Sequence, residues 1–185
     1  MDAESSSTER SHNLWAPWRL EYIHSLSEPE GGCFLCRYRE EEARDRANLV
    51  LWRSGRTLTV LNRFPYTGGH SMVAPLAHLG DLSDLDDAAL LETMSGVRDV
   101  QRVLAKAVGA EGFNIGINVG RCAGAGLPGH LHVHVVPRWG GDTNFMSVLG
   151  DVRVIPQSLD ALYDAMRQAA ADLRLSGLHG PATGG

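Results

Sequence analysis

The 185-residue chain lacks several features that would place it in a specialised class of protein. It has no apolar run near the roughly 20 residues that a membrane-spanning helix needs. The first ten residues, MDAESSSTER, are polar and contain no apolar core of a signal peptide. Its basic residues form no cluster and its formal net charge is −5, so nothing indicates broad binding to nucleic acid or to membranes.

Cysteine is also scarce. The three cysteines are an odd number, which argues against a disulfide framework and indicates a reducing compartment. We therefore expect a cytoplasmic protein. The length suits a single domain with a sizeable core, and 43% hydrophobic residues is an ordinary content for a globular protein. From their composition we predict flexible tails at 1–13 and 176–185, with one domain at 14–175 between them.

Short β-branched or apolar segments separated by turn residues predict the strands of the fold. These segments cover 49–53, 57–62, 70–75, 113–119 and 131–137. The first three resemble an antiparallel meander. The last two are joined by the glycine-rich stretch GRCAGAGLPG.

Two helices are expected between and after these strands. One begins after a cap at Ser83 or Asp84 and continues to about Val108, and the other covers 157–174. The first helix carries apolar residues at helical spacing, and we expect this face to lie on the sheet. Its members are Leu90, Met94, Val97, Leu104 and Val108. The order of elements predicts an α+β fold, an antiparallel sheet with a long helix and a C-terminal helix on one side.

The segment GHLHVHVVPRWGGD, 129–142, places three histidines at alternate positions. Side chains in a strand alternate between faces, so His130, His132 and His134 should share one face, about 6–7 Å apart. The residues between them should point into the core. This spacing, next to a glycine-rich loop, favours a functional role over chance.

Two chemistries fit such a row of imidazoles. Histidines two residues apart on a strand can bind a metal such as zinc. Alternatively, the middle imidazole can act as a nucleophile toward phosphorus while its neighbours set its tautomer and contact the phosphate. A hydrolytic metal centre usually includes a carboxylate or an open water position. No carboxylate lies among or immediately beside the three histidines, since Asp142 is eight residues beyond His134, and this favours covalent catalysis.

The stretch HLHVHVV, 130–136, resembles the His-φ-His-φ-His-φ-φ signature of the histidine triad (HIT) superfamily of nucleotidyl hydrolases and transferases. A second block, LNRFPYTGGHSMVAP, is similar to the family segment in which an Asn precedes a strand-starting His by eight residues. GFNIGINVG resembles the strand and Asn before the family's phosphate loop. Together these similarities span about residues 14–156. The resemblance implies the HIT-like fold and catalysis through the middle histidine.

The resemblance assigns a role to individual residues of this chain. His132 matches the nucleophile, which attacks the α-phosphorus and forms a nucleotidyl-histidine. His134 matches the histidine that contacts the α-phosphate oxygens and helps to position the leaving group. His70 matches a histidine that steadies the triad, and Asn62 matches a residue that reaches the ribose. Asn118 and the loop through Gly124 and Gly126 match the phosphate-binding segment, where glycines let backbone N–H groups approach an anion.

The loop departs from the family pattern in one respect. Many members carry a Gln, Ser or Thr side chain a few residues before the first triad histidine, whereas this chain has GAGLPG. This difference argues against a close match to the dinucleoside triphosphate hydrolase branch. Arg121 or main-chain amides are the available substitutes for that side chain.

The stretch CFLC offers two thiolates at zinc-ligand spacing, without a second Cys-x-x-Cys. In zinc-bearing HIT proteins, the resemblance implies, the two further ligands are a His in a P-x-x-H turn and the first triad His. Here Cys33 and Cys36 would be completed by His78 and His130. Four protein ligands make a closed, structural zinc site that leaves His132 unligated. We interpret Cys122 as a loop or core thiol.

Two further stretches, WAPWRLEY and PRWGGDTNF, resemble bacterial members related to diadenosine tetraphosphate phosphorylases. The resemblance therefore implies a homodimeric enzyme that cleaves an adenine dinucleotide at the α-phosphate, with inorganic phosphate or water as acceptor. Three alternatives remain open at this point. They are a hydrolase of dinucleoside polyphosphates or adenosine phosphoramidates, a nucleotide-binding scaffold, and a metallohydrolase with zinc on the triad.

Overall fold

A computed structural model describes residues 32–142 and 157–175 of the chain. These described residues all belong to one compact unit. The expected tails at 1–13 and 176–185, and the aromatic segment WAPWRLEY, lie outside the described residues. No helix among the described residues is long and apolar enough to cross a membrane.

The fold is built on one antiparallel sheet, as the strand pattern predicts. Its strands are β1 (Val50–Arg53), β2 (Thr57–Leu61), β3 (Ser71–Pro75), β4 (Gly112–Ile117) and β5 (Val133–Arg138). Their order across the sheet is β1-β2-β3-β5-β4. β5 therefore inserts between β3 and β4, and the histidine motif that leads into it lies near the middle of the sheet.

Residues 32–142 and 157–175 also contain four α-helices, which give the α+β fold. They are α1 (Phe34–Glu40), α2 (Asp45–Asn48), α3 (Asp87–Val108) and α4 (Leu159–Asp172). Single 3₁₀ turns occupy Glu42–Arg44, Leu82–Asp84 and Arg121–Ala123. The HIT-like arrangement of a long helix and a C-terminal helix against an antiparallel sheet is confirmed.

The start of α3 differs from the prediction. Its N-cap is Asp86, whose carboxylate accepts a hydrogen bond from the backbone N–H of Ala89. Ser83 and Asp84, the expected caps, belong instead to the 3₁₀ turn before the helix, and Asp81 caps that turn. The acidic residues in DLSDLDD thus cap two successive elements, which the sequence pattern alone did not separate.

The buried stripe of α3 is also shifted from the predicted one. Val97 and Leu104 are buried as expected, together with Val100 and Val103, against the sheet and α4. Leu90 and Met94, however, are 40% and 47% exposed, so the prediction for these two positions was wrong. The first turns of α3 extend beyond the part of the helix that the core covers.

A second apolar cluster lies on the opposite face of the sheet. Leu35 and Tyr38 of α1 belong to it, packed with residues that alternate with the main core along the first three strands. These strand residues are Val50, Leu58, Val60, Met72 and Ala74. The two predicted helices, α3 and α4, both pack on the main-core face of the sheet as expected, whereas α1 covers the other face.

A buried ion pair fixes α1 and α2 to the sheet. Arg53 of β1 donates to both carboxylate oxygens of Asp45 in α2 and also to the backbone carbonyls of Tyr38 and Arg39. The side chains of Arg53 and Asp45 are only 9% and 4% exposed. Because their charges are desolvated, both need these partners to be stable in the interior.

Candidate active site and metal centre

The histidine motif lies where the chain enters the central strand β5. Val133 and Val135 point into the main core, whereas His134 pairs with Met72 of β3 and shares the face that α1 covers. Since β5 begins at Val133, His130 and His132 lie just before the strand. The rings of His132 and His134 meet edge to face at 4.8 Å, while the ring of His130 lies against that of His78. The expected single row of imidazoles is therefore divided between two sites.

The His132 ring is held in one tautomer by the backbone. Its Nδ1 lies 2.8 Å from the carbonyl oxygen of His130, which only accepts hydrogen bonds, so Nδ1 carries the proton. His132 is 6% exposed, and burial lowers its pKa while this hydrogen bond acts in the opposite direction. The neutral imidazole consequently has its lone pair on Nε2, as a nucleophile requires.

A second chain of hydrogen bonds orients His134 through His70. The backbone N–H of Tyr66 and the side-chain amide of Asn62 both donate to Nδ1 of His70, each at 3.2 Å. His70 must then carry its proton on Nε2, which lies 3.0 Å from Nδ1 of His134 and donates to it. A neutral His134 therefore carries its own proton on Nε2, where it is a donor. The relay makes His134 a hydrogen-bond donor beside His132.

His70 is suited to this relay because it stays neutral. It is fully buried, and desolvation together with the neighbouring His134 and His132 lowers its pKa to about 3. The ring of Tyr66 stacks on it at 4.6 Å between centroids. A neutral His70 can both accept at Nδ1 and donate at Nε2, which a protonated imidazole cannot do.

The glycine-rich loop connects β4 to the histidines. Ile117, the last residue of β4, pairs with Val133, so Asn118 follows at the end of the strand that adjoins the motif. Gly124 ends the 3₁₀ turn Arg121–Ala123 at φ +81°, a backbone conformation that side chains with a Cβ rarely adopt, and Gly126 follows in the partly exposed part of the loop. Among the described residues, no hydrogen bond joins Asn118, Gly124 or Gly126 to the histidines. Their phosphate-binding role therefore remains a prediction.

The four residues predicted as metal ligands do converge in space. One side-chain ligand atom from each of them lies within 4.8 Å of all the others. These residues are Cys33, Cys36, His78 and His130. Cys33 precedes α1, Cys36 lies within it, His78 follows β3 and His130 precedes β5. The cluster thus joins α1 to the segments that follow β3 and precede β5.

The geometry of this cluster fits a tetrahedral metal ion. Nδ1 of His130 lies 3.1 Å from Sγ of Cys33, and Nδ1 of His78 lies 3.2 Å from Sγ of Cys36. Thiolate and imidazole ligands around a tetrahedral zinc ion would be about 3.3–3.8 Å apart. His130 also donates from Nε2 to the carbonyl of Pro75 at 2.8 Å, which directs the lone pair of Nδ1 toward the thiols. Two sulfurs and two nitrogens are the donor set that zinc prefers.

Several contacts at the site were not predicted. They come from Tyr66, which stacks on His70 and donates to it, and from the carbonyls of Pro75 and His130. Tyr66 lies between Asn62 and His70 in the block RFPYTGGH, so its position in that block was the available signal. The two carbonyls could not be inferred from residue types, because every residue carries such a group.

The comparisons with known proteins agree with this geometry. Residues 44–141 match the HIT domain family. The chain is 38% identical over 156 residues, 82% of its length and 80% of the relative, to an AP-4-A phosphorylase of Mycobacterium tuberculosis. It is 37% identical over 89 residues, 48% of each protein, to an asymmetrical bis(5'-nucleosyl)-tetraphosphatase of Schizosaccharomyces pombe.

The structural comparison points the same way. A crystal structure of a Zn-bound histidine triad family protein from Mycobacterium smegmatis superimposes with a TM-score of 0.64 at 28% identity. The superposition covers 77% of this chain and 96% of that one. The sheet, the histidine motif and these matches together show that the chain belongs to the HIT domain family.

Proposed function

We propose that this protein is a nucleotidyl transferase that cleaves diadenosine tetraphosphate at an α-phosphate through a covalent nucleotidyl-histidine. The observation that carries the proposal is the hydrogen bond from Nδ1 of His132 to the His130 carbonyl, which leaves the lone pair on Nε2. The AP-4-A phosphorylase of Mycobacterium tuberculosis, similar over most of both chains, supports this substrate. The substrate would thus be an adenine dinucleotide and the products adenine mononucleotides.

In the first step, Nε2 of His132 attacks the α-phosphorus. A P–N bond forms while the P–O bond to the leaving ATP breaks, and the bonding electrons pass to the oxygen of ATP. His134 donates a hydrogen bond from Nε2, which stabilises the charge on the transferring phosphoryl group or the leaving oxygen. His70, Asn62 and Tyr66 hold His134 in the donor tautomer throughout this step.

In the second step, an acceptor oxygen attacks the phosphorus of the adenylyl-histidine. The P–N bond breaks and its electrons return to Nε2 of His132. If inorganic phosphate is the acceptor, the product is ADP. In the reverse direction the enzyme would act as an ATP adenylyltransferase. The glycine loop after β4, with Asn118, Gly124 and Gly126, would hold the phosphates through backbone N–H groups. Asn62, beside His70, would reach the ribose.

Water is the second acceptor to consider, because the similar protein of Schizosaccharomyces pombe is named a tetraphosphatase. The two activities share every residue of the first step and differ only in the molecule that enters for the second. With water the products are AMP and ATP. The M. tuberculosis relative matches 82% of this chain and the yeast relative 48%, so we favour phosphate as the acceptor.

The cysteine–histidine cluster would hold a zinc ion. When bound, zinc would supply a structural cross-link between the helix that carries Cys36 and the segments that carry His78 and His130. His132 is engaged at Nδ1 by a carbonyl and lies outside the cluster, which supports a structural metal over a metallohydrolase site. Metal analysis of the purified protein tests this assignment. We expect about one zinc per chain, with loss of that zinc in Cys33→Ser.

A homodimer is the partner arrangement that we propose. β4 is an edge strand of the sheet, and its residues Asn114, Ile115 and Gly116 are exposed. An exposed edge offers unpaired backbone groups to a second copy of the chain. Sedimentation at micromolar concentration should give twice the chain mass, whereas a strict monomer would contradict this proposal.

We also propose that the protein works in the cytoplasm. Cys33 and Cys36 are free thiols facing two imidazoles, and metal binding requires them to stay reduced. A reducing compartment meets this requirement. Fractionation of the source cells should place the protein with cytoplasmic enzymes, and recovery from an oxidising compartment would contradict the proposal.

The test of the proposed function is a product assay with diadenosine tetraphosphate, with and without added phosphate. The phosphorylase proposal predicts ATP and ADP in equal amounts, with strict dependence on phosphate. AMP and ATP formed without phosphate would identify a hydrolase instead. Binding of AMP without turnover of any dinucleotide would indicate a nucleotide-binding protein and overturn the proposal of an enzyme.

A further inference from the structure

The cysteine–histidine cluster is connected to the active site by backbone contacts on both of its histidine segments. On one side, the carbonyl of His130 accepts the hydrogen bond that sets the tautomer of His132. On the other, the backbone N–H of Leu131 donates to the carbonyl of Leu79 at 2.6 Å. Leu131 directly follows His130, and Leu79 directly follows His78. The turn that carries His78 is therefore joined directly to the start of the histidine motif.

The same turn also packs against the end of the glycine loop. A Cβ placed on Gly80 would lie 2.7 Å from the carbonyl oxygen of Pro128 and 3.5 Å from Cα of Gly129. A Cβ on Gly129 would in turn lie 3.4 Å from Nε2 of His78. Both close contacts of Gly80 are to backbone atoms, which cannot move aside as the end of a flexible side chain could. Gly80 thus permits a close backbone-to-backbone contact that any Cβ would push apart.

The end of the glycine-rich loop therefore lies next to the cysteine–histidine cluster. The loop runs from Asn118 through Gly124 and Gly126, and its last residues, Pro128 and Gly129, rest on the turn that holds His78. Leu127, which precedes Pro128 in the loop, packs against the apolar cluster that contains Leu35 and Tyr38 of α1. An ion bound by His78 and His130 would therefore fix both segments between which the loop end lies.

We propose that the cysteine–histidine cluster is a positioning centre for the phosphate loop, and that Gly80 is the positioning residue that transmits its effect. This inference rests on the proposed function, in which the loop binds the phosphates of the nucleotide. With metal bound, the turn at 78–80 forms a fixed support for Pro128 and Gly129, and the loop is ordered for the anion. Without metal, this support is held by weaker contacts and the nucleotide must order the loop when it binds.

Thermodynamic linkage turns this proposal into a reciprocal prediction. If metal raises the affinity for AMP by some factor, AMP must raise the affinity for metal by the same factor. Coupling of this kind is commonly about 5- to 150-fold, and we expect about tenfold here. A metal that only stabilises the fold would leave the two affinities independent of each other.

The first experiment measures amide hydrogen exchange in the loop, without any nucleotide. The zinc-loaded protein is compared with protein from which a chelator has removed the metal, and far-UV circular dichroism establishes that the fold is retained. We expect faster exchange at 124–131 in the metal-free form, with unchanged exchange in α3 and α4. Equal protection of the loop in both forms would overturn the inference whether or not AMP binds.

The second experiment uses the loaded protein and so does not depend on the stability of the metal-free form. Gly80→Ala forces the loop end away from the turn, and Gly55→Ala is the matched control. A Cβ on Gly55 meets only the Glu92 carboxylate, at 3.7 Å, so this variant adds a methyl group in the exposed β1–β2 hairpin turn without meeting any backbone atom. We expect Gly80→Ala to keep its metal and its kcat within about twofold, while its KM and its Kd for AMP rise about tenfold.

The cobalt-substituted protein supplies a spectroscopic measure of the coupling. Adding AMP should change the visible spectrum of Co²⁺ in the parent protein and in Gly55→Ala, and much less in Gly80→Ala. A spectrum that responds to AMP equally in all three proteins, or a Gly80→Ala variant with unchanged KM, would overturn the inference. If AMP binds to none of them, the proposed function fails, and the hydrogen-exchange result then decides the positioning role by itself.

Discussion

The neutral, buried His70 predicts a specific acid sensitivity of the folded protein. Its imidazole is fully buried beside His132, His134 and the ring of Tyr66, and its pKa is lowered from 6.5 to about 3. Because the folded form resists protonation while the unfolded chain accepts a proton near pH 6.5, this group's contribution to stability is complete above that pH. The contribution is lost progressively as the pH falls from 6.5 toward 3.

The size of the effect follows from the two pKa values. Between pH 7 and pH 5 the unfolded histidine becomes almost fully protonated and the folded one does not, which costs about 2 kcal/mol of unfolding free energy. His70→Gln removes the titration but retains an N–H donor for His134. Between pH 7 and pH 5, the unfolding free energy of this variant should therefore fall by about 2 kcal/mol less than that of the parent protein.

Urea unfolding at pH 7 and pH 5, at one protein concentration and one metal content, measures the difference. The two proteins share every other ionisable group, so the effects of those groups largely cancel in the comparison. Ser71→Ala is the matched control, because it removes a buried hydrogen bond to Gly69 without removing a titrating group. The control should be destabilised equally at both pH values. If His70→Gln loses as much unfolding free energy between pH 7 and pH 5 as the parent protein does, the folded His70 is not held neutral.

Further predictions concern the nucleophile, a buried ion pair and the loop. His132→Ala should lower turnover by several orders of magnitude with an unchanged circular dichroism spectrum, and near-normal activity would exclude covalent catalysis. Asp45→Asn leaves the Arg53 charge buried without its ionic partner and should cost about 3 kcal/mol in urea unfolding, whereas Asp164→Asn at an exposed pair should cost far less. Arg121 is the one basic residue in 118–129. We expect its guanidinium to contact the phosphates beyond the α-phosphate. Arg121→Ala should therefore raise the KM for diadenosine tetraphosphate about tenfold and leave the KM for adenosine phosphoramidate, which lacks those phosphates, within twofold. Equal rises in both KM values would contradict this role.

The sequence predicted the strands well, for physical reasons, and the four candidate metal ligands lie close together in the structure. Alternation of polar and apolar residues specifies which side chains of a strand are buried, and Val133 and Val135 indeed enter the core. The spacing of Cys33 and Cys36 places both sulfurs at the start of one short helix. The two histidines came from the family resemblance, and the structure brings all four side chains together.

The orientation of the helices was harder to predict. Leu90 and Met94 follow the helical period, but the period does not specify where along α3 the sheet ends, and both are exposed. The side of the sheet that α1 covers depends on the path of the chain between elements. Residue spacing carries no information about that path.

The contacts that set proton positions at the site were beyond sequence reasoning. Tyr66 acts on His70 through its backbone N–H, and His130 acts on His132 through its carbonyl. Backbone groups are common to all residues, so only the folded pairing of segments shows which of them meet. The close approach of Gly80 to Pro128 belongs to the same class of contact.

The most direct test of the central claim is to detect the adenylyl group on His132. Enzyme mixed with diadenosine tetraphosphate in the absence of phosphate is quenched at alkaline pH, where a phosphoramidate survives, then digested and examined by mass spectrometry. Covalent catalysis by His132 predicts one AMP adduct on the peptide that contains this residue, and the adduct should disappear when phosphate is added before the quench. Turnover with no adduct at any time, or an adduct on another residue, would contradict it.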